Sequence, residues 1–292
     1  MYVIAGVTGN TGSRAADALL ALGEKVRVIV REPAKGEPWR AKGAEVAVTR
    51  LDDAKALAQA LKGAKGAWLL VPPRYDADDQ LAANRPLIAA LGEGVKASGV
   101  PHVAFLSSVG ADQATGTGPI RNLRHAEEVL GAAAKNVTFL RAGYFFENFA
   151  PVLPATAGGA LPTFLMPDRP FPMVATADVG RAAAELLLEP ANDRRIVELS
   201  SVRPWSPSAV AAELSQILGR TVVAQFVPKE AVVPTLTGMG FLPGVAGLVE
   251  EMHTACNEGR VKFGASGAVR RLGQLGAGDV LRPLLERTAT HA

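Results

Sequence analysis

Cysteine is nearly absent from this chain of 292 residues, which contains a single one, Cys256. One cysteine excludes an internal disulfide and fits a protein of a reducing compartment. It stands in the helical-looking segment VEEMHTACNEG, which holds no catalytic motif, so we predict a structural thiol. Apolar runs of about 18 residues are also missing, which argues against a membrane-spanning helix. The start of the chain lacks the charged region of a signal peptide, so we expect a cytoplasmic protein without membrane contact.

Metal ligands and strongly charged segments are missing as well. The four histidines, His102, His125, His253 and His291, do not stand at metal-ligand spacing with cysteine or carboxylates, and we expect no metal. The net charge is only +3, without a long run of lysine or arginine. Such a balance does not form a nucleic-acid surface, and we expect no nucleic-acid partner.

The first half of the chain alternates short apolar runs with amphipathic segments. Continuous apolar runs are typical of strands buried on both faces of a parallel sheet. Strands alternating with helices indicate βαβ units with right-handed crossovers, and this order predicts an α/β, doubly wound parallel sheet. The predicted strands are Tyr2–Val7, Val26–Val30, Glu45–Val48, Ala67–Val71, Val103–Leu106 and Val137–Leu140. The predicted helices between them are Ser13–Leu22, Ala54–Leu61, Gln80–Ala97 and Ile120–Ala134.

The pattern changes after about residue 150, where prolines and glycines become frequent. A helix, VGRAAAELLL, begins at Asp178 as a natural N-cap, and a strand follows at Arg195–Leu199. We assign 1–150 to the doubly wound domain and 151–292 to a smaller, mainly helical C-terminal lobe. Residues 178–200 are expected to add a helix and a strand to the first domain. The helices predicted for the lobe are Ser206–Leu218, Lys229–Met239, Gly244–Asn257 and Asp279–Arg287.

Three glycines at a spacing of three follow the first strand, in the segment GVTGNTG. A strand that turns tightly into a helix directs free backbone N–H groups and the positive end of the helix dipole at one point. Glycine permits the unusual dihedral angles of such a turn and the close approach of a diphosphate. The segment therefore predicts a dinucleotide site. Its residues are Gly6, Thr8, Gly9, Asn10, Thr11 and Gly12.

The end of the second predicted strand indicates which dinucleotide binds. Arg31 stands there, 19 residues after Gly12, and Lys35 follows. An acidic residue at this place binds the ribose 2′-hydroxyl of NAD, whereas arginine accommodates the 2′-phosphate of NADP. Arg31 and Lys35 favour NADPH, while the neighbouring Glu32 leaves NADH possible as a weaker cofactor.

An ordered set of segments resembles the NmrA-like proteins, which are atypical short-chain dehydrogenases/reductases. The segments are GVTGNTG, VREPAK, LDDAKALAQALKGAKGAWLLVPP, HVAFLSSVGAD, TFLRAGYFFENF and FPMVATADVGRAAAELLLEP. The resemblance implies a Rossmann domain that binds NAD(P) and forms a cleft with a small C-terminal lobe. Beyond the glycine segment, Arg31 and Lys35, it implies cofactor contacts from Val71, Pro72, Pro73, Ser107, Ser108, Val109, Tyr144 and Phe145.

Two departures from the family pattern bear on function. Arg50 stands where family members often carry an aspartate that binds the adenine amine, so Arg50 is expected to stack on the base or to add positive charge. The Tyr-x-x-x-Lys pair of the enzymatic short-chain dehydrogenases is also missing. Pro119 and Leu123 fall at these two positions in GTGPIRNLRHAEEVL. Because this pair protonates an alkoxide, we expect a poor alcohol dehydrogenase.

A reductase of quinones, azo compounds or other flat conjugated acceptors does not need that pair. Their reduced anions are stabilised, so positioning of the cofactor against a flat substrate carries much of the reaction. Tyr144 and His125 are the candidate proton donors. The candidate substrate-binding residues are Phe145, Phe146, Asn148, Phe149, Phe164, Met166 and Phe241.

A second interpretation remains open, because some NmrA-like proteins are regulators. Such a protein senses NADP against NADPH and binds a protein partner without turnover. The apolar segment AVVPTLTGMGFLPGVAGLVEEM would then be a partner surface. A homo-oligomer is also possible. Arg141, at the end of the sixth strand, is expected to pair with Glu147 or Asp178 in a structural role.

Overall fold

The structure is a computed structural model that describes residues 1–190 and 193–290, without the side chains of 288–290. Its centre is an eight-stranded, fully parallel sheet. The strands of this sheet are β1 (Tyr2–Ile4), β2 (Val26–Val30), β3 (Glu45–Val48), β4 (Gly66–Leu69), β5 (Val103–Ser108), β6 (Val137–Ala142), β10 (Arg194–Ser200) and β12 (Val269–Leu272). Their order across the sheet is β12-β10-β6-β5-β4-β1-β2-β3.

Helices cover both faces of the sheet. On one face, α1 (Asn10–Ala21) packs against α6 (Thr176–Leu188). The opposite face carries α3 (Ala54–Leu61), α4 (Gln80–Ser98) and α5 (Ile120–Ala133). The central strand β4 is buried along its whole length, as expected for a strand covered on both sides. A short helix, α2 (Glu37–Ala41), follows a 3-10 turn after β2.

The C-terminal part has its own apolar core beside the sheet, centred on Phe146, Leu161, Trp205 and Leu214. A long 3-10 helix, 146–158, lies in this core. It is not an α-helix because the prolines at 151 and 154 lack the backbone N–H groups that α-helical hydrogen bonding requires. Two small parallel pairs accompany it, β7 (Tyr144–Phe145) with β9 (Met173–Val174) and β8 (Ala160–Thr163) with β11 (Val223–Phe226). The helices are α7 (Pro207–Leu218), α8 (Lys229–Gly238), α9 (Pro243–Glu258) and α10 (Ala277–Thr290).

The observed sheet confirms the predicted doubly wound fold and extends it. Its first six strands have the order 3-2-1-4-5-6, which is the order of the doubly wound dinucleotide-binding fold. β10 continues the sheet beside β6, in register from Arg194 opposite Val137. β12 is an addition that the sequence did not predict. It pairs in parallel with β10 at the edge of the sheet.

Two local predictions were wrong. Asp178 does not cap its own helix, because α6 begins two residues earlier at Thr176, with Ala175 at the N-cap. Its buried carboxylate instead accepts hydrogen bonds from the backbone N–H groups of Gln274 and Leu275, at 3.0 Å each. Arg141 pairs with Glu127 of α5 rather than with Glu147 or Asp178.

The described residues contain neither a helix long and apolar enough to cross a membrane nor a cluster of three metal-ligating side chains. His291 lies outside the described residues. Cys256 is buried, and burial raises the pKa of its thiol to about 12, which suits a structural residue.

Candidate cofactor site and substrate cleft

The carboxyl ends of the first four strands surround a cavity of about 430 Å³. Parallel strands bring the segments that follow them to one edge of the sheet, where doubly wound proteins bind their ligands. Seven of the expected cofactor residues line this cavity: Gly6, Thr8, Arg31, Lys35, Arg50, Pro72 and Pro73. It also includes residues that the sequence did not single out, among them Thr49, Leu51, Asp52, Leu70, Arg74, Asp76 and Leu87.

The three glycines of the first turn are required for different reasons. Gly6 has a φ of +72°, which side chains rarely adopt. A Cβ on Gly12, inside the first turn of α1, would overlap the backbone of Ala5 and Gly6. Gly9, at the N-cap of α1, has an ordinary φ, and a Cβ there would make only a normal contact. The fold therefore needs Gly6 and Gly12, while Gly9 keeps the exposed start of the helix open.

The first turn of α1 leaves its backbone N–H groups without a side-chain partner. No side chain caps the helix and no acidic residue stands in its first turn. Thr8, Gly9 and Asn10 are exposed there, whereas Thr11 is buried. Uncapped N–H groups and the helix dipole together favour a phosphate at this position.

The cationic side chains of the cavity fall into two kinds. Within the described chain, Arg31 and Lys35 are exposed and make no salt bridge. Arg50 and Arg74, by contrast, are each held by a carboxylate two residues further on. The two unpaired cations stand at the end of β2, where a 2′-phosphate would need them.

Arg50 and Arg74 are fixed by paired hydrogen bonds. Arg50 donates to both oxygens of Asp52, at 2.8 and 2.6 Å, and Arg74 donates to both oxygens of Asp76, at 2.8 and 3.1 Å. These bonds hold the pKa of each carboxyl below its usual range. The Asp52 carboxylate is therefore committed to Arg50, and both arginines line the cavity with their guanidinium groups already paired.

The end of β5 is mostly occupied by internal contacts. The buried Ser107 donates to Glu127 at 2.6 Å, inside the ion pair with Arg141. Val109 is buried in the C-terminal core, so Ser108, which is half-buried, is the residue of this trio that borders open space. Val71, at the other expected contact segment, packs on the core beneath the sheet.

A second group of aromatic rings surrounds Tyr144, directly after β6. The half-buried Tyr144 ring meets Phe149, Phe171 and His253 edge to face, with ring centroids 6.0 to 6.4 Å apart. Burial raises the pKa of Tyr144, and the nearby side chain of the exposed Asn148 only partly offsets that rise. The hydroxyl therefore stays protonated and can donate a hydrogen bond.

The other predicted substrate residues differ in how deeply they are buried. Phe146 is fully buried and packs against Trp205, at 5.4 Å between ring centroids, so it belongs to the core of the C-terminal part. Phe145 packs on the core next to the sheet. Phe164, Met166 and Phe241 lie farther along the C-terminal lobe: Phe164 meets His253 at 5.3 Å, Met166 is exposed, and Phe241 meets Tyr75 at 5.6 Å.

His125 lies apart from Tyr144. It is partly exposed on α5, 3.9 Å from Glu128, in a groove of about 240 Å³ that it shares with Arg85, Arg121 and Arg124. This groove and the cavity at the strand ends have no lining residue in common.

His253 is a neighbour of Tyr144 that the sequence did not reveal. It is buried on α9, and its Nδ1 donates to the carbonyl of Val249 at 2.9 Å, which leaves Nε2 as an acceptor. Burial lowers the pKa of His253 and keeps the ring neutral. Its contacts, Tyr144 and Phe164, are distant in sequence, so the spacing of residues gave no signal.

The family model described as NmrA-like matches residues 2–268, nearly the whole chain. The chain belongs to the NmrA-like family. Within it, the chain is 26% identical to quinone oxidoreductase 2 of Escherichia coli, over 89% of each chain. It is 25% identical to the NAD(P)H azoreductase of Xenophilus azovorans, over 87% of this chain and 86% of the relative.

Solved structures of NmrA-like proteins and related reductases share the fold. The NADPH-dependent quinone oxidoreductase of Escherichia coli, complexed with NADPH, has a TM-score of 0.82 at 24% identity and covers 98% of this chain and 100% of its own. The triphenylmethane reductase of Citrobacter sp. has a TM-score of 0.82 at 21% identity and covers 98% and 99%.

Proposed function

We propose that this NmrA-like protein is an NADPH-dependent reductase that transfers hydride to a flat conjugated acceptor such as a quinone or an azo compound. The observation that carries the proposal is the cavity at the strand ends, where unpaired Arg31 and Lys35 stand beside the uncapped start of α1. Its curated relatives, a quinone oxidoreductase and an azoreductase, support the same chemistry.

The residues of the cavity fit the cofactor. The start of α1 suits the pyrophosphate, and Arg31 and Lys35 suit the 2′-phosphate. Arg50 and Arg74 are each held in an ion pair with an aspartate, and their planar guanidinium groups suit stacking on the adenine base. When bound, NADPH supplies the hydride.

The chain's own contribution is positioning and a proton. α5, which follows β5, contains neither tyrosine nor lysine, so it offers no pair for protonating an alkoxide. The half-buried Tyr144 and the rings packed around it offer an apolar surface against which a flat acceptor would be positioned. Tyr144 donates a hydrogen bond to the acceptor oxygen or nitrogen while the product anion forms, and solvent completes the protonation.

The deciding experiment follows oxidation of NADPH by absorbance with and without a panel of simple quinones and azo dyes, with NADH in parallel. We expect acceptor-dependent oxidation that is faster with NADPH. Binding of NADPH without turnover on any acceptor would contradict the reductase proposal and favour a cofactor-sensing role with a protein partner.

Replacing Tyr144 with phenylalanine tests the assigned proton donor. The ring and its packing remain, so Tyr144→Phe should leave the fold intact and lower kcat by roughly 10- to 100-fold, as for loss of one hydrogen bond to a developing anion. His125→Ala is the matched control, because His125 lies in the separate groove and should leave kcat unchanged. Equal turnover in Tyr144→Phe and the wild type would remove Tyr144 from the mechanism.

A further inference from the structure

The segment Arg74–Asp78, between β4 and α4, has neighbouring side chains in two different places. Arg74 and Asp76 line the cofactor cavity and are joined to each other by two hydrogen bonds. Tyr75 and Asp78 instead contact the turn between α8 and α9 in the C-terminal part. One short segment therefore touches both the candidate cofactor site and the wall of the candidate substrate cleft.

The contact made by Asp78 is a helix cap supplied from a distant part of the chain. α9 has Leu242 at its N-cap position, which offers no side-chain acceptor. Asp78 Oδ1 accepts a hydrogen bond of 2.6 Å from the backbone N–H of Gly244, 166 residues away. A carboxylate at this position satisfies a free N–H group and complements the helix dipole.

The fit around this cap is close. A Cβ on Gly244 would overlap the backbone carbonyl of Asp78, so the helix start and the segment are in direct contact. Beside them, Tyr75 meets Phe241 edge to face at 5.6 Å, although more than half of the Tyr75 side chain is exposed. The two contacts lie on either side of Pro243, where α9 begins.

The position of α9 matters to the cleft because the helix carries His253. The His253 ring lies 6.0 Å from Tyr144 and 5.3 Å from Phe164, between ring centroids. Two residues before His253, the Glu251 carboxylate lies 3.4 Å from the guanidinium group of Arg121 on α5. A shift at the start of α9 would therefore change the space beside Tyr144.

We propose that the segment Arg74–Asp78 couples cofactor binding to the position of α9, with Tyr75 and Asp78 as the positioning residues. Cofactor contact with Arg74 and Asp76 fixes the segment, and the fixed segment holds the start of α9 through Asp78 and Tyr75. The cofactor then forms the substrate cleft before the acceptor binds. This proposal rests on the proposed cofactor site. In it, Tyr75 and Asp78 position α9 and take no part in the hydride or proton transfer.

Hydrogen exchange tests the coupling without relying on turnover. The exchange rate of the amides at 241–250 is measured by mass spectrometry in the full chain, with and without saturating NADP⁺. In the wild type, NADP⁺ should slow exchange at least about fivefold, the lower end of typical coupling between sites. In Asp78→Ala, these amides should exchange at one rate in both conditions, while NADP⁺ affinity stays within about twofold because Asp78 does not line the cavity.

Matched variants separate coupling from local destabilisation. Asp78→Asn keeps an oxygen acceptor and should restore the response to NADP⁺. Asp79→Ala removes the adjacent charge and the cap of α4, which accepts from Ala82, but leaves α9 untouched and should respond like the wild type. Tyr75→Leu, at an exposed position, should weaken the response without unfolding the protein.

Steady-state kinetics provide the second readout. Asp78→Ala should raise KM for the acceptor about fivefold and leave kcat and KM for NADPH within about twofold. Tight NADP⁺ binding to the wild type without slower exchange at 241–250 would overturn the coupling and leave the reductase proposal intact. Failure to bind NADP⁺ at all would instead contradict the proposed cofactor site.

Discussion

Gly9 differs from its two neighbouring glycines in that nothing inside the protein requires it. Gly6 is held by its positive φ, and Gly12 by its contact with the backbone of Ala5. A side chain on Gly9 would meet only ordinary distances, yet the residue stands at the exposed N-cap of α1. At the scale of single residues, we therefore propose that a ligand occupies the space above Gly9.

Substitution by alanine separates these two kinds of glycine. Gly9→Ala should fold with near-native stability but weaken NADPH binding by about 1–3 kcal/mol, because its methyl group stands where a phosphate meets the N–H groups. Gly12→Ala should destabilise the fold by about 1–3 kcal/mol or more through overpacking. Urea unfolding and fluorescence titration measure the two effects. Unchanged NADPH affinity in Gly9→Ala would refute the phosphate assignment.

We propose that Arg31 sets the choice of cofactor in the same site. Arg31→Ala should weaken NADPH by about 1–3 kcal/mol and leave NADH nearly unchanged, since only NADPH has the 2′-phosphate. Glu32→Gln, next in sequence, is the control for a general change of charge and should not weaken NADPH. Titration of both nucleotides gives the comparison, and equal losses for the two would assign Arg31 to something other than the 2′-phosphate.

Single residues also show where sequence reasoning stops. The end of β2 placed Arg31 and Lys35 in the cavity, because a strand end is a local signal. Contacts between distant parts of the chain have no such local signal. The sequence did not predict the ion pair of Arg141 with Glu127. It also did not predict that Arg74 lines the cavity or that Tyr75 and His253 contact other aromatic rings.

At the scale of elements, strands and helices whose ends are marked in the sequence were predicted well, and a strand without an apolar run was missed. β2, β3 and α3 have the predicted bounds, because their ends are marked by a change from apolar to polar residues or by an N-cap. β12 (VRRL) is mostly exposed at the sheet edge and carries two adjacent arginines. Its strand conformation depends on pairing with β10 rather than on its own sequence, and a search for apolar runs cannot detect it.

Asp178 ties that edge strand to the helix layer. Its buried carboxylate binds the N–H groups of Gln274 and Leu275 and pairs with Arg181 at 2.7 Å. Asp178→Ala should reduce the free energy of unfolding by roughly 2–4 kcal/mol, because two N–H groups lose their acceptor. It should also expose the segment 264–276 to limited proteolysis. Arg181→Ala removes the ion pair and the hydrogen bond from Arg181 to the Gln274 side chain, but it leaves the two backbone N–H groups with their acceptor, so it should cost less than half as much. A loss below about 0.5 kcal/mol for Asp178→Ala would contradict this role.

At the scale of the whole molecule, the carboxyl ends and the amino ends of the strands have different roles. The carboxyl ends of the strands carry the cavity and, after β6, the aromatic cluster around Tyr144. The amino ends carry a buried polar network in which His102 Nε2 lies 3.1 Å from Thr138, and Thr138 accepts from Arg195 at 2.9 Å. Arg195 in turn binds Glu189 at 2.8 Å. This network is remote from the proposed chemistry, so it affects stability rather than turnover.

His102 should make the stability of the whole chain depend on pH. Burial, helped by the charge of Arg195, lowers its pKa from 6.5 to about 4, and its Nδ1 has no hydrogen-bond partner in the described chain. Between these two values the unfolded chain binds the proton more readily, so stability falls as pH decreases from 6.5 to 4. The loss should approach about 3 kcal/mol, at roughly 1.4 kcal/mol for each pKa unit. Urea unfolding at pH 7, 6, 5 and 4.5 measures it in the wild type and in His102→Gln, whose side chain does not titrate. Carboxylates and the buried His253 titrate in both proteins, so the difference between the two curves isolates His102. Parallel curves would show that His102 is protonated as easily in the folded chain as in the unfolded one.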